Sequence, residues 1–203
     1  MALAPASLPR HPGFMPRPHR VQAAGAVYHV FAHATGNELL HRDDPDRQRF
    51  VSMLGDTAEK YGLQVHFAVI LSTHHHLLIT TTKPNIAAAM QHLSGVYCRS
   101  YNRRHGRKGH LVAGRYGTKL VRSEAHGLVL AAYLALNPVR AGLVRRPEEW
   151  AWSTYASLVG LDREWAFVKP GFLLTQFDGD RERARTRLRE YVDSVRFVNE
   201  FAA

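Results

Sequence analysis

A single cysteine, Cys98, leaves no partner for an internal disulfide, which excludes a disulfide-stapled secreted scaffold. It falls within a helical pattern, where a free cysteine ordinarily packs. No apolar run approaches the ~20 residues that a membrane-spanning helix needs. Residues 1–20 carry Pro5, Pro9, Pro12, Pro16 and Pro18 with scattered arginine, and lack the apolar stretch of a signal peptide. They read as a disordered basic extension, and the expected location is the cytoplasm, with no membrane partner. Acidic residues are locally missing as well: between Arg99 and Arg122 there is none, while Arg103, Arg104, Arg107, Lys108, Arg115 and Lys119 all stand there.

What remains is an ordinary soluble composition with an unusual charge. Hydrophobic residues make up 45% and charged residues 22% of 203, enough for one domain with a real core. The formal net charge of +10 favours phosphate backbones or anionic surfaces as partners. A solubility charge with no partner is the alternative.

Residues 26–32 are short and rich in β-formers, which predicts a first strand. Asp44-Pro45 supplies an N-cap with proline at the first helical position. Phe50, Val51, Leu54, Ala58 and Tyr61 recur at helical spacing up to Gly62. Residues 65–71 and 76–80 then form an antiparallel hairpin, with His74 at the start of its second strand. Pro84 opens a second helix striped by Ile86, Met90, Leu93, Tyr97 and Tyr101. A basic loop at 106–109 and a fourth strand at 116–121 follow. Ser123 caps a third helix through Leu128, Leu130, Ala131 and Tyr133, which Pro138 ends or kinks. Strand, helix, strand, strand, helix, strand, helix is the order of an α+β, ferredoxin-like (split βαβ) antiparallel sheet with helices packed on it. No internal repeat is visible. Residues 21–160 form the domain. Residues 161–203 form a helical C-terminal extension, in which Ala184, Leu188, Tyr191, Val192 and Val195 mark a docking helix.

His74 and His76 are two apart, so on a strand they share one face and can present imidazole nitrogens to a single cation, while His75 points the other way. Such a pair alone is more often structural than metal-binding. Tyr133 and Asn137 sit four apart, on one face of a helix. Tyr133 fits either a nucleophile or a core position in an Ala/Leu helix. Asn137 fits either a metal ligand or a helix C-cap. His126, seven residues before Tyr133, either assists the metal or proton transfer or is polar surface. Tyr97, Tyr101 and Tyr116 lie among the basic residues, an arrangement suited to single-stranded DNA, although Tyr97 and Tyr101 also fit a core.

Several segments together resemble a known family. Tyr28-His29-Val30, Asp46-Arg47 leading a helix, and Val69-Ile70-Leu71-Ser72-Thr73-His74-His75-His76-Leu77-Leu78-Ile79 are similar to the single-tyrosine HUH transposases. Gly114-Arg115-Tyr116, residues 133–143 (YLALNPVRAGL) and Trp152-Ser153 narrow the resemblance to the REP-associated tyrosine transposases. It extends from about residue 21 to residue 160. It implies the ferredoxin-like sheet, a divalent metal (Mg²⁺ or Mn²⁺) held by His74, His76 and Asn137, and Tyr133 as the nucleophile. The implied activity is cleavage and rejoining of single-stranded or hairpin DNA through a 5′-phosphotyrosine link. Arg99, Arg103, Arg104, Arg107, Lys108, Arg115, Lys119, Arg122 and Arg140 are the expected DNA contacts.

Three positions depart from the family pattern. The residue between the two histidines is normally hydrophobic and here is His75, expected either to be buried neutral or to shift the strand register. Thr73 stands where asparagine is usual, and His33-Ala34 where most members carry Arg-Gly. Met15-Pro16-Arg17-Pro18 is similar to a family N-terminus, which makes residues 1–14 an upstream extension. The departures at Thr73 and His75 keep a second reading open, a domesticated, non-catalytic DNA-binding protein of the same fold. An RNA-binding module and a small-phosphoester hydrolase are weaker rivals: the first lacks the aromatic strand pattern of RNA-binding sheets, the second does not suit the charge. Monomer and homodimer, and use of Tyr133 within or between subunits, remain open from sequence.

Overall fold

A computed structural model describes residues 21–161 and 165–200. The expectations for residues 1–20 lie outside the described residues. The elements run β1 (Val27–His33), α1 (Asp44–Tyr61), β2 (Leu63–Ile70), β3 (His74–Thr81), α2 (Ile86–Arg104), β4 (Gly117–Leu120) and α3 (Glu124–Arg140). A 3₁₀ turn (Pro147–Glu149), two single-turn helices, α4 (Tyr155–Leu158) and α5 (Gly171–Leu174), and the long α6 (Arg181–Glu200) follow. The four strands form one antiparallel sheet in the order β2-β3-β1-β4, the split βαβ arrangement.

Strand alternation sends the two faces of the sheet into separate cores. Tyr28, Val30 and Ala32 of β1, with Leu77 and Ile79 of β3, pack under α1 and α2 against Phe50, Leu54, Met90, Leu93 and Tyr97. Phe67, Val69 and Leu78 face the other way, onto Leu130, Ala131 and Leu134 of α3 and Leu188 and Val192 of α6. The expected docking helix is thus seated on the second core. In β2 the alternation slips between Val65 and Phe67, where His66 is pinned to the Lys169 carbonyl at 2.7 Å and to Thr80 Oγ1 at 2.8 Å.

Local signals set the helix ends, with small displacements from the sequence reading. Asp43, not Asp44, caps α1: its carboxylate accepts from the Asp46 N–H at 3.0 Å, leaving Pro45 in the first turn. Gly62 closes the helix in the left-handed region at φ 64°. Helix α2 starts at Ile86 rather than Pro84, with Asn85 at its N-cap. Ser123 caps α3 as expected, accepting from the His126 N–H. Pro138 does not end α3, which continues to Arg140 and then closes on Gly142 at φ 67°. There the Gly142 N–H donates to the Val139 carbonyl and Leu143 to Pro138, so the Asn-Pro-Val-Arg-Ala-Gly-Leu run encodes a helix stop.

Candidate active site

The ladder between β1 and β3 pairs Phe31 with His76 and His33 with His74, which brings His29, Phe31, His33, His74 and His76 onto one face. This is the face that α3 covers. The His74 and His76 rings stand 5.1 Å apart at 77°. His76 Nδ1 lies 3.0 Å from His29 Nε2, and His74 Nδ1 lies 2.9 Å from Thr73 Oγ1. If each Nδ1 carries the proton and donates it to that partner, each Nε2 keeps its lone pair for a cation. Thr73, which departs from the family pattern, therefore supplies an acceptor that orients the first histidine.

Electrostatics favour the neutral, ligating form of both rings. Burial pushes His76 down to about 2, with His29, His74, His75 and His33 adding to the effect. His74 is lowered by burial and then by His33, against a hydrogen bond from Asn137 that works the other way. The Asn137 amide therefore stands next to the His74 ring. Its Nδ2 donates to the Tyr133 carbonyl at 3.3 Å, which fixes the amide orientation. Asn137 is 8% exposed and lies inside α3, whose C-cap is Ala141. The C-cap reading of Asn137 does not hold.

Tyr133 is the exception on a helix whose neighbours Ala132, Leu134, Ala135 and Leu136 are buried: it is 40% exposed. The core reading of this tyrosine fails accordingly. Its ring stands 6.0 Å from that of His76, edge to face, and the Arg140 guanidinium lies 5.2 Å from its ring centre. Tyr133, Asn137 and Arg140 fall at i, i+4 and i+7, one face of α3 turned toward the histidines. His126 is exposed near the start of α3. Among the described residues no group of three or more His, Cys, Asp or Glu side chains is placed to hold a metal ion. The donor set of two neutral imidazoles with tethered Nδ1 atoms and an amide oxygen nevertheless suits a divalent ion.

His75 answers the question of strand register. It is buried on the opposite face, its Nδ1 3.2 Å from His41 Nε2 and its ring 4.3 Å from Phe50. His41 Nδ1 lies in turn 2.7 Å from Tyr97 Oη, which donates to the Leu40 carbonyl. Burial lowers His75 to about 3 and His41 well below its ordinary value, so both are neutral. The chain accommodates a polar residue there by giving it a buried partner, and β3 keeps the register that pairs His74 and His76 with β1.

The basic residues separate into groups. Lys119 on β4 pairs with His29 across the ladder, on the site's face, and Arg140 stands over Tyr133. Arg99, Arg103, Lys108, Arg115 and Arg122 are exposed. Arg104 is held by Asp43 and the buried Asp46, and Arg107 by Glu38 at 3.1 Å and the His110 carbonyl. Tyr97 and Tyr101 are core residues whose hydroxyls donate to Leu40 and Leu39 carbonyls. Cys98 lines a cleft of about 480 Å³ between α2 and residues 109–116, beside Arg115 and Tyr116. No role for His29, His33 or His41 followed from sequence. The alternation of His29, Phe31 and His33 was visible, but only the β1–β3 register joins it to His74 and His76.

No protein-family model matches the chain, and no curated protein matches it in sequence. Solved structures do. A REP-associated tyrosine transposase bound to a REP hairpin superposes with a TM-score of 0.62 at 16% identity, covering 76% of this chain and 98% of that one. A Deinococcus radiodurans R1 protein, provisionally described as a transposase, gives 0.40 at 17% identity over 57% of this chain and 92% of that one. The tRNA(His) guanylyltransferase of Saccharomyces cerevisiae gives 0.45 at 10% identity over 87% and 80%. The last two are too distant to carry an argument. Sheet order, the two-faced packing and the superposition agree: this chain has the fold of a REP-associated tyrosine transposase.

Proposed function

We propose that the protein is a single-tyrosine HUH transposase of the REP-associated branch, a metal-dependent DNA endonuclease and strand transferase acting on single-stranded or hairpin DNA. The observation that carries this reading is the convergence of an exposed Tyr133 on the His74–His76 pair, with Asn137 and Arg140 on the same helix face. Tyr133 Oη attacks the scissile phosphorus. The Oη–P bond forms and the phenol gives up its proton as the P–O3′ bond breaks, leaving a 5′-phosphotyrosine link and a 3′-oxygen that takes up a proton to become a free hydroxyl. The link keeps the phosphodiester energy, so the reverse attack by a 3′-hydroxyl rejoins DNA without ATP.

His74, His76 and the Asn137 amide oxygen would hold the divalent ion, Mg²⁺ or Mn²⁺ by analogy with the family. When bound it polarises a non-bridging phosphate oxygen and offsets charge in the transition state. The chain's own residues do the positioning. The Asn137 side chain ties the ligand to the turn that carries Tyr133. Arg140 places a fixed positive charge beside the ring, where a phosphate must approach. His29 and Thr73 hold the two histidines in orientation. Tyr133 stands beside His76 of the same chain, which supports use of this tyrosine within one chain.

Hairpin DNA as the partner rests on the REP hairpin bound by the superposed transposase, and on the exposed Arg99, Arg103, Lys108, Arg115, Lys119 and Arg122. The non-catalytic alternative drew on Thr73 and His75. Thr73 lies within hydrogen-bonding distance of His74, and His75 has a buried partner in the other core, which supports the catalytic reading. The test is incubation of labelled oligonucleotide with protein and Mn²⁺. A denaturant-resistant protein–DNA band is expected for the native chain. Tyr133→Phe should lose the band while still shifting the oligonucleotide on a native gel. A band that persists in Tyr133→Phe overturns the assignment.

A further inference from the structure

The sheet face that carries the histidines is only partly covered. Beneath α3 the second core takes Phe67 and Val69 from β2, Leu78 from β3 and Val27 at the start of β1. Phe31, further along β1, stays outside it. Among the described phenylalanine side chains, Phe50, Phe67, Phe167, Phe172 and Phe177 each pack into one of the two cores, and Phe31 into neither. It is half-buried, and its ring neighbours are imidazoles: His29 at 5.2 Å, with His33 and His76 each at 6.0 Å.

Strand β4 gives this ring its seat. Gly117 stands opposite Phe31 in the ladder, and a Cβ at 117 would meet the ring edge at 2.3 Å. The phenyl group therefore leans over bare backbone at the edge of the sheet. Lys119, the next residue of β4 on that face, is exposed. On the other side His76 stands between Phe31 and Tyr133, 6.0 Å from each ring. A line thus runs from Tyr133 across β3 and β1 to an exposed cation on β4. An aromatic ring outside any core, with a lysine beside it, suits an unpaired nucleotide: the base offers a π-face to the ring and its phosphate meets the cation. Cover for the imidazoles alone would need apolar bulk and not a flat ring.

We propose that Phe31 is a stacking platform for an unpaired base of single-stranded DNA, with Lys119 on the phosphate beside it, and that the pair leads the strand toward Tyr133. This says how the substrate proposed above is held and rests on that reading, but its test needs neither metal nor cleavage. In the presence of chelator, a thymidylate oligonucleotide and an abasic oligonucleotide of equal length are titrated against the native chain, Phe31→Leu, Phe31→Tyr and Lys119→Ala. The native chain should bind thymidylate at least about fivefold more tightly than the abasic strand. Phe31→Tyr should keep that preference, and Phe31→Leu, with unchanged circular dichroism, should reduce it to less than about twofold. Lys119→Ala should weaken both strands alike and lower the salt dependence of binding. If Phe31→Leu fails to fold, photocrosslinking of the native chain to an oligonucleotide carrying 5-iodouracil gives the answer, with the crosslink expected on the peptide that contains Phe31. A Phe31→Leu protein that retains the native preference overturns the proposal, as does a crosslink confined to other peptides. Base preference through Phe31 without a covalent DNA adduct contradicts the proposed function and leaves the platform standing. An adduct formed by a native chain that shows no such preference does the reverse.

Discussion

His75 shows most clearly how one residue sets the conditions for the site. Placed between two ligands, it faces the opposite core and finds His41 there, so the strand does not slip. The same burial makes the fold sensitive to acid. Burial pushes His75 down to about 3 and His29 down to about 4, and lowers His41 and His66 as well. Between these values and the ordinary 6.5 the unfolded chain binds protons that the folded chain cannot. Stability is therefore fully present above pH 6.5 and falls as pH drops below it. Urea midpoints for the metal-free protein should decline steeply from pH 7.5 to 5. His75→Leu should flatten that slope, yet cost about 1–3 kcal/mol at pH 7.5 because His41 Nε2 loses its buried partner. His29 acts through His76, and His29→Phe should weaken metal binding about 10–100-fold in a calorimetric titration. An unchanged affinity would show that the His29–His76 contact does not orient the ligand.

Elements were legible from sequence wherever a local signal sets them. Gly62 ends α1 and Ser123 starts α3 because caps depend on the backbone within a few residues. The same locality explains the small misplacements: Asp43 and Asp44 are equivalent as sequence, and only the Asp46 N–H selects Asp43 as cap. The His74–His76 pair, Tyr133 and Asn137 could be picked out because their spacings fall within single elements. The contribution of His29 could not, since it depends on which residues β1 and β3 place opposite each other. His41 lies in a loop with no periodicity to expose it. Strand β4 illustrates an element that constrains the site without supplying chemistry. Gly117 opposes Phe31, and a Cβ there would lie 2.3 Å from the ring. Phe31 is surrounded by His29, His33 and His76. Gly117→Ala should push the ring into that cluster, lowering both the melting temperature and the rate of adduct formation. A variant with native stability and rate would show that the close approach is not needed.

At the scale of the whole molecule, the +10 charge is distributed between structure and surface. Arg104 joins the C-terminal end of α2 to the start of α1 through Asp43 and Asp46, so Arg104→Ala should lower the urea midpoint more than it weakens DNA binding. Lys119→Ala and Arg115→Ala, at exposed positions, should do the reverse. Each phosphate contact removed should reduce the slope of log K against log salt by roughly one for duplex, somewhat less for single strands. Equal effects of Arg104 and Lys119 on the salt slope would contradict this division. The fold, shared with a transposase at 16% identity, supplies the scaffold. The claim that this scaffold is an enzyme rests on Tyr133. Its most direct test is mass spectrometry of the protein after incubation with hairpin oligonucleotide and Mn²⁺, followed by peptide mapping. The account predicts a 5′-phosphate-linked fragment on the peptide that contains Tyr133, absent from Tyr133→Phe. Unmodified protein, or an adduct on any other residue, would contradict it.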